Sequence, residues 1–450
     1  MEGRDEAMEE LNGGSAEGAG KGGAHQESPK KVKSRSLLTR MLMSPATLLV
    51  MFLTCFMYAS FGKLDFQTLT PVFKVLAFHI GEPMPNQTQM LALQDGYLAE
   101  TYRTITDDGY IIQATRIIGR GKDLKNQPIL MMHGLLSASD DWLLRGPHRD
   151  LPYMLADLGY DVWLGDWRGN CFSRGHVSLS TSDSRYWNTT YYFRGIHDLP
   201  AFIDLVLNVS KYDRLVYVGY SFGTTSFMVM ASMLPNYAEK IALAVLLSPI
   251  GVKLENGYHF VEHIAREIVE SVPETTPSLT YEFLPRSIIA SASLQSVCYV
   301  AKQFCQMMLF ESLGQVEENV DEDVTRTYYK DRIPSGGSSM DIIYLAQLFV
   351  NGFRAYDYGE NINKEVYGQS APPRVEVENI KVPVAIFYSV GDHLNEEGGI
   401  LKLSKQLPNV VLLKKIEYEK FGHLDFVVGK NAENVLYKHV LQTIVDFDNF

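Results

Sequence analysis

Cysteine is scarce in this 450-residue chain: Cys55, Cys171, Cys298 and Cys305 are the whole complement, with no C-x-x-C pair among them. A disulfide-stapled scaffold needs more, and a structural zinc site needs paired thiolates, so both are excluded. Cys298 and Cys305 stand seven apart, too far round a helix to be neighbours. A bridge between them would need a turn or irregular segment, and a pair of buried free thiols is the alternative. Positive charge is also short, with 41 Lys and Arg against 53 Asp and Glu for a formal net charge of −12. Phosphate backbones are held by clustered Lys and Arg, so nucleic acid is not an expected partner. No internal repeat is visible. What remains is 46% hydrophobic and 21% charged, the composition of a chain that buries a large core.

Residues 1–36 carry Gly, Glu, Ser and Lys and almost no large apolar side chains, so they cannot offset the entropy of ordering. A basic cluster follows at Lys30, Lys31, Lys33, Arg35 and Arg40, and then the 22 residues from Met41 to Gly62 carry no charge. That run spans a bilayer at about 1.5 Å per residue. The positive-inside rule makes residues 1–40 a disordered cytosolic tail, 41–62 a transmembrane signal-anchor, and the remainder lumenal or extracellular. A cleaved signal peptide, with small residues Ser60 and Gly62 near the cut and a secreted or lysosomal product, is the competing reading. The N-x-[ST] triplets at Asn86, Asn188 and Asn208 all follow this segment and are glycosylation candidates.

Beyond it, short apolar runs alternate with helix-period stretches. The runs are 128–132, 161–165, 215–218, 241–247, 382–388 and 410–416; the helical stretches include 148–158, 196–207 and 224–234. This alternation predicts an α/β fold with a mainly parallel sheet covered by helices. Residues 103–117, broken at Asp108-Gly109, predict a leading hairpin. About 130 residues separate the 241 and 382 runs, far more than a crossover needs, so an inserted cap or lid is expected over 252–379. The core of the fold is then 63–251 and 380–450. Within the cap, the acidic run 317–323 is expected to be a solvated loop.

Gly219-Tyr220-Ser221-Phe222-Gly223 matches G-x-S-x-G between an apolar strand and a helical stretch, the setting in which a tight turn exposes a serine hydroxyl. A serine needs a base, and the base an acid, in the chain order Ser, Asp or Glu, His. Asp392 and His423 follow the 382 and 410 strands and fill those roles; His393 and Asp425 are competitors by proximity. Two backbone N–H groups must hold the developing oxyanion, one from Phe222 and one from Leu135 in the His133-Gly134-Leu135-Leu136 loop. No metal or organic cofactor is called for, and His133 is expected to be structural.

The chain resembles the acid lipase family, which includes gastric and lysosomal lipases and insect relatives, from about residue 85 onward. The resemblance is carried by Asp107-Asp108-Gly109-Tyr110, His133 to Leu136 with Asp141-Trp142, residues 159–165, Arg168-Gly169-Asn170, His197 to Ala201, Ala355 to Gly359, and His423 to Phe426. It implies an α/β-hydrolase fold with a mostly helical cap, the triad Ser221, Asp392 and His423, and the oxyanion pair Leu135 and Phe222. The implied partner is a neutral lipid ester, triacylglycerol or sterol ester, met at a membrane or lipid-droplet interface. Three departures stand out. The family usually reads G-H-S-Q-G, where this chain has Tyr220 and Phe222. Asp166-Trp167 replaces a common Asn-Ser, and the cap cysteines are closer than the usual pair. A catalytically weakened relative that binds or carries lipid is the alternative that Tyr220 and Phe222 raise. His259 to His263 also spells H-x-x-E-H, a zinc-peptidase pattern, read here as an ordinary helix surface.

Overall fold

The computed structural model describes residues 86–120, 124–125, 127–251, 259–272, 279–286, 302–328 and 332–448. The 1–40 tail, the 41–62 run, Cys55 and Cys298 lie outside them. Among the described residues no helix is long and apolar enough to cross a membrane.

The strands are β1 (Ala99–Ile105), β2 (Tyr110–Ile117), β3 (Pro128–Met132), β4 (Asp161–Asp166), β5 (Gly175–His176), β6 (Leu215–Tyr220), β7 (Ile241–Leu247), β8 (Glu282–Phe283), β9 (Gly337–Ser338), β10 (Val384–Tyr388) and β11 (Val410–Lys415). The main sheet runs β1-β2-β4-β3-β6-β7-β10-β11, with the short β5 on β2. β4, β3, β6, β7, β10 and β11 are mutually parallel. β1 and β2 form the expected antiparallel hairpin at one edge. Every residue of β3 and β6 is buried, which is why both read as continuous apolar runs and not as alternating strands. β10 starts at Val384, two residues later than its apolar run, because Pro383 has no N–H to give the ladder and serves only as acceptor, taking Ala244 N at 2.9 Å.

From β3 the chain steps to β4 on one side, and β6 then pairs on the other. The crevice beyond the carboxyl ends of β3 and β6 is therefore the point where strand order reverses, the usual ligand position in open α/β sheets. The His133 loop leaves one end and Ser221 the other. The helix after Ser221 runs Phe222–Met233. The 196–207 stretch is a π-helical turn, Arg194–Asp198, leading into the helix Leu199–Ser210.

Between β7 and β10 lie the β8–β9 ribbon and the helices His259–Ser271, Lys302–Leu313, Ser339–Asn351 and Glu360–Tyr367. Helix His259–Ser271 buries Val261, Ala265 and Ile268 at helical spacing and packs against Ser339–Asn351. The latter is started by Ser338, whose Oγ accepts from Met340 N at 3.2 Å, with Asp341 closing a capping box. The acidic run differs from expectation. It forms a 3-10 turn at Glu317–Asn319 and opens a helix at Glu322–Thr327, with Asn319 buried. Its charges meet cations: Glu317 bonds Lys302, Glu318 bonds Lys420, and Asp321 bonds Arg149. Cys305 is disulfide-bonded to a partner outside the described residues, and Cys171 is free and buried.

Candidate active site

Ser221 caps β6 at φ 54°, ψ −121°, a conformation that L-residues hold only under strain of about 1–3 kcal/mol. The strain is held from both sides: Ser221 N donates to Leu247 O at 3.0 Å, and Ser221 O accepts from Thr224 N at 2.9 Å and Thr224 Oγ1 at 2.6 Å. The flanking glycines have no room for a side chain. A Cβ on Gly223 would lie 2.6 Å from Met132 O, and one on Gly219 would lie 2.9 Å from the Gly223 carbonyl carbon. Gly134 is under the same constraint, since its Cβ would sit 2.8 Å from that of Ser221.

His423 Nε2 is 2.9 Å from Ser221 Oγ, and His423 Nδ1 is 2.8 Å from Asp392 Oδ2. All three side chains are buried. Burial alone would push the Asp392 carboxyl up, but His423, Ser248 and Asn395 together hold it below its ordinary value. Ser248 and Asn395 were not singled out by the sequence. Ser248 Oγ donates to Asp392 Oδ2 and lies 2.9 Å from His423 Nδ1; Asn395 Nδ2 donates to Ser248 Oγ at 2.8 Å and to Asp392 Oδ2 at 3.1 Å. Leu394 N completes the set on Oδ1 at 3.0 Å.

Both competitors serve other ends. His393 packs edge-on to Phe310, and its Nδ1 lies 3.2 Å from Glu311 O, so it faces the Lys302–Leu313 helix. Asp425 accepts from Gln315, Asn319 and Gly422 N at 2.7–2.8 Å, clasping the His423 loop to the inserted region. That clasp is reinforced by His423 N donating to Leu313 O at 2.8 Å. Gly422 permits it, because a Cβ there would meet Gly314 O at 2.6 Å.

The departures from G-H-S-Q-G acquire definite jobs. Tyr220 Oη donates to His423 O at 2.9 Å, and its ring lies 5.2 Å from the imidazole, so this residue supports the His423 ring from behind. Phe222 stacks on Tyr191 with ring centroids 4.2 Å apart and 12° between planes, and on Tyr344 at 6.3 Å. Tyr191 Oη in turn donates to Gly134 O at 3.0 Å, so one aromatic bridge ties the helix after Ser221 to the Leu135 loop. Over Tyr191 sits Arg194, its guanidinium carbon 4.0 Å from the ring centre and its two Nη atoms on Asp341 at 2.6 and 2.9 Å. His133 is structural as expected. Burial pushes it down to about 3, so it is neutral, with Nδ1 2.9 Å from Gly134 O. Asp166 accepts from Ser139 and Asn170, and Trp167 Nε1 donates to His133 O at 2.9 Å; the pair thereby anchors this same loop.

Ser221 and His423 open onto a cavity of about 350 Å³ whose lining is overwhelmingly apolar: Leu135, Phe222, Val261, Ile264, Ile268, Leu345, Phe349 and Leu394 among others. Two long helices of the inserted region form much of this wall. The helix Ser339–Asn351 is fastened to the core by the buried Arg194–Asp341 pair, and the segments around Arg286 and Arg332 by the buried Asp140 carboxylate that these two share. The other motifs shared with acid lipases converge on scaffolding. Arg168 bonds Asp198 and Asp108 and lies 3.8 Å over the Tyr110 ring.

The remaining sequence candidates are placed as follows. Asn188 and Asn208 are exposed, whereas Asn86 is half-buried with its Nδ2 donating to Thr101 and Thr115 and its Oδ1 capping a helix. Its amide nitrogen, the atom a glycan would occupy, is thus engaged within the fold. In the H-x-x-E-H stretch, His263 is exposed and Glu262 pairs with Arg266 at 2.6 Å. Among the described residues, the His, Cys and acidic side chains close enough to share an ion are Asp107, Asp108 and His197, of which His197 already bonds Asp107 and Asp108 bonds Arg168.

Burial gives the fold a definite pH response. It raises Asp166 to about 7, and Asp150 and Asp425 to about 6; Asp141 reaches about 6 by burial with the adjacent Asp140 charge. An unfolded aspartate titrates near 3.9, so between about pH 4 and 7 the folded chain binds more protons than the unfolded one. Stability must then fall as pH rises through that window. Asp392 and Asp140, lowered by their partners against burial, work in the opposite sense and lose their contribution below about pH 4, and buried neutral His133 subtracts one proton from the folded chain's excess below about pH 6.5. We therefore expect Tm to be highest near pH 4 and to fall toward pH 7 in thermal scans. A Tm that climbs steadily from pH 5 to 8 would contradict this.

A mostly parallel sheet of this strand order, with a strained serine elbow at the switch point and a buried His–Asp pair beside it, is the architecture of an α/β hydrolase. The chain belongs to the α/β hydrolase fold family, which matches residues 127–430, and within it residues 88–146 match the partial α/β-hydrolase lipase region. Lipase 3 of Drosophila melanogaster is 33% identical over 363 residues, covering 79% of this chain and 91% of the relative. The human gastric triacylglycerol lipase is 30% identical, covering 81% and 93%. A protein of Crotalus adamanteus described as a putative lysosomal acid lipase/cholesteryl ester hydrolase is 30% identical, covering 77% and 87%. The resemblance read from the motifs is thereby shown, and the protein is a carboxylic ester hydrolase of the lipase type.

Proposed function

We propose that this lipase is a serine hydrolase that cleaves carboxylic esters of neutral lipids, triacylglycerols or sterol esters, through an acyl-enzyme on Ser221. The observation that carries the reading is the continuous hydrogen-bonded line Ser221–His423–Asp392 at the floor of an apolar cavity. His423 takes the Ser221 proton as Oγ attacks the ester carbonyl, and Asp392 stabilises the imidazolium that forms. The Leu135 and Phe222 N–H groups receive the oxyanion. His423 then protonates the departing alcohol, and water hydrolyses the acyl-enzyme by the same route. The cycle calls on no metal or organic cofactor. An apolar wall suits an acyl chain, since each buried methylene contributes about 0.8 kcal/mol. The names of the gastric and snake relatives point to the same two ester classes.

A fluorophosphonate probe tests this directly. Wild-type protein is expected to be labelled and Ser221→Ala not, and a panel from short-chain to long-chain and sterol esters should favour the lipid esters. Unlabelled, folded wild-type protein would instead make the chain a relative that binds or carries lipid.

We also place the catalytic domain on the lumenal or extracellular side, at a membrane or lipid-droplet interface, with residues 41–62 as anchor or cleaved signal. The support is the basic cluster before that run and the exposure of Asn188 and Asn208. Glycosidase treatment should sharpen the band of the expressed protein, an effect that Asn188→Gln with Asn208→Gln abolishes. A glycan retained by that double variant would point to Asn86 or elsewhere.

A further inference from the structure

We infer that Ser248 is a positioning residue for the acid–base pair, a fourth member of the hydrolytic relay. The inference rests on the reading of Ser221, His423 and Asp392 as the triad. Ser248 follows β7 directly, with φ +51°, a left-handed conformation that favours glycine. A serine kept there carries a side chain the backbone itself disfavours. Its N–H donates to Phe387 O at 2.9 Å, which fastens the residue to β10, the strand that leads to Asp392.

From this position the hydroxyl reaches both partners at once. Its proton goes to Asp392 Oδ2, while its oxygen lies 2.9 Å from His423 Nδ1 and accepts from Asn395 Nδ2 at 2.8 Å. His423 Nδ1–H is thus shared between the Asp392 carboxylate and the Ser248 lone pairs, so the tautomer with Nε2 free to take the Ser221 proton is selected by two acceptors. When the imidazole becomes charged, the same two acceptors face the positive N–H. The donors from Ser248, Asn395 and Leu394 keep Asp392 ionised in a site that excludes water. Ser248 touches neither the ester nor Ser221, and acts through His423 and Asp392.

The left-handed backbone supplies the experiment. Ser248→Gly removes the hydroxyl and relieves the φ +51° constraint, so relief of the backbone offsets part of the hydrogen bonding lost by Asp392 and Asn395 and the fold is retained. Expected are a folded protein with a modestly lowered Tm, an unchanged KM and a kcat lowered 10- to 100-fold. In the Asp392→Asn background, where the relay is already broken, the same change should cost less than a further 2-fold. A glycine variant within 2-fold of wild-type kcat overturns the inference, as does an equal loss in the Asp392→Asn background, which would mark a role in packing alone. Should the glycine variant fail to fold, Ser248→Ala is read by the same two criteria. Failure of the triad reading is distinguishable, because there Ser221→Ala would hydrolyse ester as fast as wild type.

Discussion

Ser221→Ala is expected to lower kcat by on the order of 10⁶-fold with little change in KM. The size follows from the site's division of labour. Without Oγ there is no attacking atom, so His423 and Asp392 have nothing to activate, while the oxyanion donors and the apolar cavity still bind ester. His423→Ala should be as damaging, and the double variant no worse than either single one, since the two residues act as a unit. Asp392→Asn should cost about 10⁴-fold. Stopped-time assays on a soluble ester with each purified variant check the series. Additive losses, or a Ser221→Ala enzyme within 100-fold of wild type, would remove Ser221 from the chemistry.

The second large effect is on stability. Asp341→Ala should destabilise the protein by about 3–5 kcal/mol, because Arg194 is 2% exposed and would be left as an uncompensated buried charge. That loss corresponds to a fall in Tm on the order of 10 °C. Arg194→Met combined with Asp341→Leu should recover much of it, since the pair then vanishes with no stranded charge. The consequence reaches the chemistry by contact. Arg194 lies on Tyr191, Tyr191 stacks on Phe222 and holds Gly134 O, and Gly134 is packed against Ser221. Thermal denaturation of the three variants decides the matter: a Tm for Asp341→Ala within about 2 °C of wild type would mean the ion pair is not holding the helix Ser339–Asn351 to the core.

These two cases show how far the sequence could be read. Ser221, Asp392 and His423 were legible because each sits where a short-range signal ends, an apolar β-rich run followed by a turn. The strand–turn–helix context, with glycines on both sides, identified the elbow. The 130-residue gap announced the insertion, and β3 and β7 appear with their expected bounds. The acidic run 317–323 misled because its composition suits solvent. Buried Asn319 within it bonds Asp425, more than a hundred residues away, and no local pattern carries that pairing. Asn86 shows the same limit: its triplet is a local pattern, while the amide's partners Thr101 and Thr115 belong to a hairpin that closes only in three dimensions.

The sequence by itself determined the class of fold, and it pointed to Ser221, Asp392 and His423 in that order and to an insertion between β7 and β10, because periodicity, turn chemistry and chain order are properties of neighbouring residues. Only the tertiary structure decided what surrounds them. Ser248 and Asn395 on the acid, Tyr220 behind the base, and the Phe222–Tyr191–Arg194–Asp341 line behind the oxyanion loop join residues brought together by the β3–β6 switch point and by the cap's return to the sheet. In a site this buried, most polar atoms take a partner, and packing alone selects which.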